Sequence, residues 1–234
     1  FLEVPRFSTG YAALHQTIGF MPETHMLKPF ADRYAAMRAL VEVVLAYTVE
    51  HGATIQALRR AARQAAASQR TWPVLWKPDY SRPASFRFKG YAAVQRPSQL
   101  GNYLRLAYDR NQPWERDIAW FNRCVVELAV STPRSYLIPQ AWREVINRLQ
   151  WNGVVLERLA ADQVFNGQAY LIDTVESRPG PYEGHMFHDG MTLRSVEASV
   201  QAHAGDVLVH LDQPHVRYAV ETLEPQAHDS FFRW

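Results

Sequence analysis

The stretch Thr17-Ile18-Gly19-Phe20-Met21-Pro22-Glu23-Thr24-His25-Met26-Leu27-Lys28-Pro29-Phe30 (residues 17–30) decides how the first third of the chain is read. An apolar run ends in a carboxylate, a short polar turn comes next, and Pro29 opens a long helical pattern. Residues 18–23 read as a buried strand. Pro22 cannot donate to a ladder, so it belongs at the strand's end, at an edge or at a bulge. A glutamate at the end of a buried strand is a good place for a general base, because the strand fixes its position and apolar neighbours raise its pKa. Two plainer readings stay open on these residues alone: a structural Glu23 paired with Lys28, or a glutamate capping the segment after it.

Downstream, Tyr34, Met37, Val41, Val44, Leu45 and Thr48 recur at helical spacing. His51-Gly52 reads as a helix stop. Thr54 opens a second helix with Ile55, Leu58, Ala62 and Ala65 on one side. Arg59, Arg60 and Arg63 read as its solvated face. The texture changes at 69–73, which sets a domain boundary: residues 1–70 and 71–234. The second part is mainly β. Residues 85–91 alternate apolar and polar, and further strands are expected at 125–130, 154–159, 168–174, 192–199, 207–211 and 216–222. Tyr136-Leu137-Ile138 reads as a strand. Pro139 fits the first turn of a helix whose apolar face is Trp142, Val145, Ile146 and Leu149, with Gly153 at its end. Residues 136–158 therefore form one strand–helix–strand unit.

The chain has 234 residues, 47% hydrophobic and 21% charged, with a formal charge of +2. That balance supports a core and is too small a charge to argue for nucleic acid or an anionic membrane. No apolar run is long enough to predict a membrane span. The single Cys124 excludes an internal disulfide and reads as a small buried residue. The tryptophans and tyrosines read as core packing rather than a sugar-binding surface.

The segment Phe7-Ser8-Thr9-Gly10-Tyr11-Ala12-Ala13-Leu14, the apolar run, and Glu23-Thr24-His25-Met26-Leu27-Lys28-Pro29-Phe30 together resemble a bacterial branch of the carboxypeptidase A-like zinc peptidases. Tyr136-Leu137-Ile138-Pro139-Gln140-Ala141-Trp142, Tyr182-Glu183-Gly184-His185, Leu211-Asp212-Gln213-Pro214, Glu221-Thr222-Leu223-Glu224-Pro225 and Asp229-Ser230-Phe231-Phe232-Arg233-Trp234 extend the resemblance over nearly the whole chain. It implies an α/β fold, the C-terminal piece of a carboxypeptidase-like sheet domain, followed by the mainly β accessory domain. It implies that Glu23 activates a zinc-bound water and then shuttles its proton. Tyr11 is the matching candidate for the tyrosine that binds the substrate. Met21, His25 and Lys28 are candidates for lining the substrate pocket.

The same resemblance implies zinc as cofactor, held through a His-x-x-Glu pair and a distant histidine. None of the nine histidines in the chain has glutamate three residues later. The ligands are therefore expected upstream of this chain, and the 234 residues alone are expected to be inactive. A peptide or protein is the implied substrate, and a periplasmic or secreted location is favoured. An upstream peptidase segment, or an oligomer, is expected to cover the truncated sheet. The alternatives are a non-catalytic binding module or a degenerate peptidase. His185, His188 and Asp189 have a suggestive local spacing, but their glycine-rich setting reads as an ordinary polar loop.

Overall fold

The computed structural model describes residues 2–26 and 28–234. Leu27, a member of the Glu23–Phe30 motif, and Phe1 lie outside the described residues. The chain divides into two compact units: Trp76–Val126, with Leu2, and Glu3–Leu75 together with Glu127–Trp234. The fold is mixed α/β, with four helices among the described residues, small antiparallel sheets and no closed sheet.

The larger unit begins with α1 (Ser8–Leu14) and α2 (Phe30–Ser68). Helix α2 runs through His51-Gly52 without a break, contrary to the expected stop. Ala53, Gln56, Ala57 and Leu58 just after Gly52 are strong helix formers, and the roughly 1 kcal/mol that one internal glycine costs does not break a 39-residue helix. The expected buried strand at 18–23 is absent as well. Those residues are exposed, lie in no helix or strand, and pair with no neighbouring strand. A strand needs a partner for its backbone groups, and none is supplied here.

Strand β1 (Thr71–Pro78) pairs with β4 (Cys124–Ser131). In the smaller unit, β2 (Ala84–Pro97) and β3 (Leu104–Trp120) form a long antiparallel hairpin, with a bulge between Tyr91 and Ala92. Strands β5 (Ser135–Ile138), β9 (Val207–His210) and β6 (Glu157–Arg158) make a three-stranded sheet in the order β5-β9-β6. Strands β7 (Gln163–Ser177) and β8 (His188–Ala202) form a second long hairpin. Helix α3 (Arg143–Trp151) follows β5, and α4 (Val216–Leu223) follows β9.

Several expectations change here. Residues 216–222 are helix α4, not a strand. Val216, Ala219 and Val220 sit at i, i+3, i+4 and are all fully buried, and a short apolar run does not separate helix from strand by periodicity. Pro139 lies in a turn before α3, closed by the Trp142 N–H to the Pro139 carbonyl at 3.0 Å. Trp142 is then the N-cap residue and is 62% exposed, off the apolar face that Val145, Ile146 and Leu149 provide. The expected strand at 154–159 shrinks to Glu157–Arg158. The Gln213 side chain occupies the backbone of Val155, accepting its N–H at 2.7 Å and donating to its carbonyl at 3.1 Å. Cys124 is exposed. The aromatic residues are largely outside the core: Trp72 is buried, whereas Trp120, Trp151 and Tyr80 are exposed.

The main core lies in the larger unit. It joins Leu14 of α1, Ala66 of α2, Trp72 and Val74 of β1, Ile138 of β5, Ile146 and Leu149 of α3, Val207 and Val209 of β9, and the buried face of α4. This core fixes α1, and α1 in turn sets where the Glu23 segment starts.

Candidate functional site

Helix α1 is short because the chain reverses just after it. His15, Gln16 and Thr17 return their N–H groups to Ala12, Ala13 and Ala12, and Gln16 takes a φ of +48° to make the turn. The chain then runs back along α1. A Cβ on Gly19 would lie 3.1 Å from the Ala12 Cβ and 3.2 Å from the Thr9 Cα, so a small residue suits this close approach. Arg59 of α2 holds the reversal, donating from Nε to the Gln16 carbonyl at 2.9 Å and from its terminal nitrogen to Thr17 Oγ1 at 2.8 Å. The arginine trio of α2 is thus not a uniform solvated face. Arg60 is exposed, Arg59 is a clamp, and the Arg63 Nε is buried.

Met21, Glu23 and His25 lie exposed in one stretch without helix or strand, and Lys28 is exposed just before α2. The Lys28 N–H donates to the His25 carbonyl at 3.0 Å, closing a turn. Among the described residues Glu23 makes no ion pair, with Lys28 or otherwise. The N-cap of α2 is Pro29, and no side chain caps the helix. Tyr11 is set apart from this stretch, in α1, and its hydroxyl donates to Asn152 Oδ1 at the end of α3.

Asn152 is the centre of a polar cluster with no single motif to announce it. It accepts the Tyr11 hydroxyl proton, and its amide nitrogen donates to the Arg148 carbonyl at 2.8 Å. The His15 ring stacks on Tyr218 at 5.6 Å, meets Tyr11 edge-on at 5.0 Å and lies 5.9 Å from His215. Burial lowers the pKa of His15, opposed by the neighbouring Asn152 side chain and helped by the Arg63 charge. Burial, then His15, then Arg63 lower that of His215. Burial pushes the Tyr218 phenol up to about 12.

Two further polar groups emerge only in three dimensions. Glu224, 2% exposed, accepts hydrogen bonds from the hydroxyls of Tyr136 and Tyr170. Burial, followed by the Glu224 charge, raises both phenols, Tyr170 to about 12. His210 bridges the three-stranded sheet, with Nδ1 2.7 Å from Ser135 Oγ and Nε2 2.7 Å from Glu157 Oε2. It borders a cavity of about 360 Å³ that is also lined by Val155, Leu156, Gln213 and Pro214. The His210 and Glu157 side chains are 46% and 59% exposed, so water competes for both bonds, and His210 acts as a cross-strand tie.

The Tyr182–His185 stretch is a tight turn, and His188 begins β8. Glu183 and Gly184 both have positive φ, and Tyr182 and His185 exchange backbone hydrogen bonds. His188 Nδ1 lies 2.8 Å from Ser177 Oγ. Among the described residues no group of three or more His, Cys, Asp or Glu side chains is placed to hold a metal ion. The residues present therefore do not fit a catalytic zinc site, which needs about three protein ligands.

No family model matches the chain, and no solved structure matches it. Part of it is similar to fungal proteins. It is 33% identical over 104 residues to Carboxypeptidase 2 of Trichophyton tonsurans and equally to that of Trichophyton rubrum, a stretch that is 44% of this chain and 19% of each relative. It is 31% identical over 102 residues to Probable carboxypeptidase 2 of Arthroderma benhamiae, with the same coverage. The matched stretch is thus about a fifth of the length of these relatives. The similarity is distant and partial, and it relates the chain to carboxypeptidases.

Proposed function

We propose that this chain is part of a carboxypeptidase-type peptide hydrolase. Residues 1–70 end its α/β peptidase domain, and residues 71–234 form a C-terminal accessory region. The observation that carries this reading is the sequence similarity to Carboxypeptidase 2 over 104 residues, which agrees with the resemblance resting on the Glu23–Phe30 motif. Exposure of Glu23, with no ion pair among the described residues, is consistent with a carboxylate open to a substrate-bound water.

In this reading Glu23 takes a proton from the attacking water and returns it to the leaving amine, the two halves of general base and general acid catalysis. Tyr11 binds the substrate, and Met21, His25 and Lys28 line the pocket. Zinc, which the resemblance implies, is held by residues outside this chain.

The test is Glu23→Gln in the longer enzyme that contains this chain. Release of C-terminal residues from peptides is expected to vanish while bound zinc is unchanged, and retained hydrolysis would overturn the assignment. Zinc analysis of the purified 234-residue chain is expected to find none. Stoichiometric metal there would overturn the claim that the ligands lie elsewhere.

A second reading has one observation in its favour. In the β2–β3 hairpin, Phe86 packs on Trp120 and Phe88 on Trp114, at centroid distances of 5.5 and 5.6 Å, with Tyr91, Tyr108 and Trp120 exposed. An exposed aromatic ladder is suited to binding a partner or polymer, which is the non-catalytic alternative for that unit.

A further inference from the structure

We propose that Asn152 is a positioning residue for Tyr11, and that the His15–His215 pair beside it makes that positioning depend on protonation. The proposal rests on the peptidase reading for the role of Tyr11, but the cluster itself is read directly from the geometry.

Tyr11 lies in a seven-residue helix that ends in a reversal. Its hydroxyl is tied to Asn152 Oδ1, 141 residues later in the chain. Asn152 is itself held by its bond to the Arg148 carbonyl, at the end of a helix whose Ile146 and Leu149 are in the core. The tyrosine's direction is thus set from a rigid element outside residues 1–70. A side chain that must meet substrate gains from support of this kind, because misplacement by about 1 Å costs catalysis heavily.

The ionisable neighbours come from every element packed on the cluster: Tyr11 and His15 from α1 and its end, Arg63 from α2, Arg148 from α3, and His215 and Tyr218 from the start of α4. His15 Nε2, His215 Nδ1 and Arg63 Nε are all buried without a hydrogen-bond partner. Charging both rings beside Arg63 gathers three positive charges in one cluster, and α1 releases the stack in response. Neutral imidazoles hold Tyr11 in place, and imidazolium lets it go.

Two measurements decide this. In the 234-residue chain, imidazole 15N titration is expected to place His15 and His215 below the ordinary histidine range. Asn152→Leu should move the His15 midpoint further down, and His15→Gln should move that of His215 up. Ordinary midpoints, unmoved by either substitution, would overturn the cluster. In the longer enzyme, Tyr11→Phe and Asn152→Leu should each lower kcat/KM by about tenfold, the worth of one hydrogen bond, and the double variant should be no worse than either.

Asn152→Asp keeps an acceptor for Tyr11 and should restore most of the rate, with a shifted acid limb in the pH profile. Additive losses, or no rescue by Asn152→Asp, would overturn the positioning role. The peptidase reading fails separately, if Glu23→Gln leaves hydrolysis intact, and the titration result does not depend on it.

Discussion

Arg6 and Asp229 are 223 residues apart and form one of the most buried ion pairs in the molecule. Arg6 donates its backbone N–H at 2.7 Å and its Nε at 2.8 Å to the two carboxylate oxygens, with the side chains only 18% and 5% exposed. The guanidinium also lies over the rings of Phe187, Trp234 and Tyr182, at 4.6, 4.9 and 5.4 Å. The segment before α1 is thereby fastened to the last residues of the chain. This gives the run Asp229–Trp234 a structural purpose: it receives the residues that lead into Tyr11 and Glu23.

Removing one partner of such a pair leaves a buried charge without compensation, which costs about 3–5 kcal/mol. Arg6→Ala is therefore expected to lower the urea midpoint strongly. Arg6→Lys should recover only part of the loss, since lysine lacks the planar fork that bonds and stacks together. Equilibrium urea unfolding of the three proteins checks this, and an Arg6→Lys protein as stable as the parent would show that the fork is dispensable.

Tyr136 and Tyr170 both donate to buried Glu224, but Tyr136 is the more deeply placed of the two. Tyr136→Phe leaves a buried carboxylate short of a donor and is expected to cost about 1–3 kcal/mol. Tyr170→Phe should cost less, because water reaches that side more easily. The two losses should not add, since they share one acceptor. A double-mutant cycle on thermal unfolding measures the coupling.

Stability should fall on acidification in two separate windows. His15 and His215 are lowered in the fold, so the unfolded chain takes up protons first. Their contribution is complete above the unfolded value near 6.5 and is lost as the pH falls below it. Asp206 accepts the N–H groups of His203 and Gln140 at 2.8 and 2.9 Å, and these bonds hold its carboxyl below the usual 3.8. Its contribution is present above 3.8 and disappears only as the pH falls through the lower, folded value. Urea midpoints from pH 8 to 3 should show both steps. His15→Gln should shrink only the first, which His215 shares, and Asp206→Asn only the second, to which the lowered carboxyls of Asp79, Asp162 and Asp189 also contribute.

Much of the later chain is legible from pattern. The alternation at 85–91 and the runs at 125–130, 168–174, 192–199 and 207–211 all fall in or largely within strands, and Tyr136–Ile138 with the helix after it stands. Failures occur where a tertiary partner decides. Residues 18–23 have the composition of a strand but no neighbour to pair with. Val155 is taken by the amide of Gln213, which no periodicity reveals. Residues 216–222 are apolar at both helical and alternating positions, and the core selects the helix. Tyr11 and Glu23 are proposed from a local motif. No such motif marks Asn152, His215 and Arg63, because each comes from a different element and meets Tyr11 or His15 only after the core assembles.

Gly52 and Gly153 are expected to respond to alanine in opposite directions. Gly52 lies inside α2, and a Cβ added there meets nothing within 4 Å. Alanine removes backbone freedom from the unfolded chain and suits the helix, so Gly52→Ala should stabilise by about 0.5–1 kcal/mol. Gly153 ends α3 with a φ of +81°, and its added Cβ would lie 3.0 Å from His215 Nε2. A left-handed conformation costs an L-residue about 1–2 kcal/mol, and the contact would press on the imidazole that packs beside His15. Gly153→Ala should therefore lower the urea midpoint and also disturb the His215 ring resonance, whereas Gly52→Ala should raise the midpoint and leave that resonance alone. A Gly153→Ala protein with an unshifted His215 signal would mean that the end of α3 does not press on the His15–His215 pair.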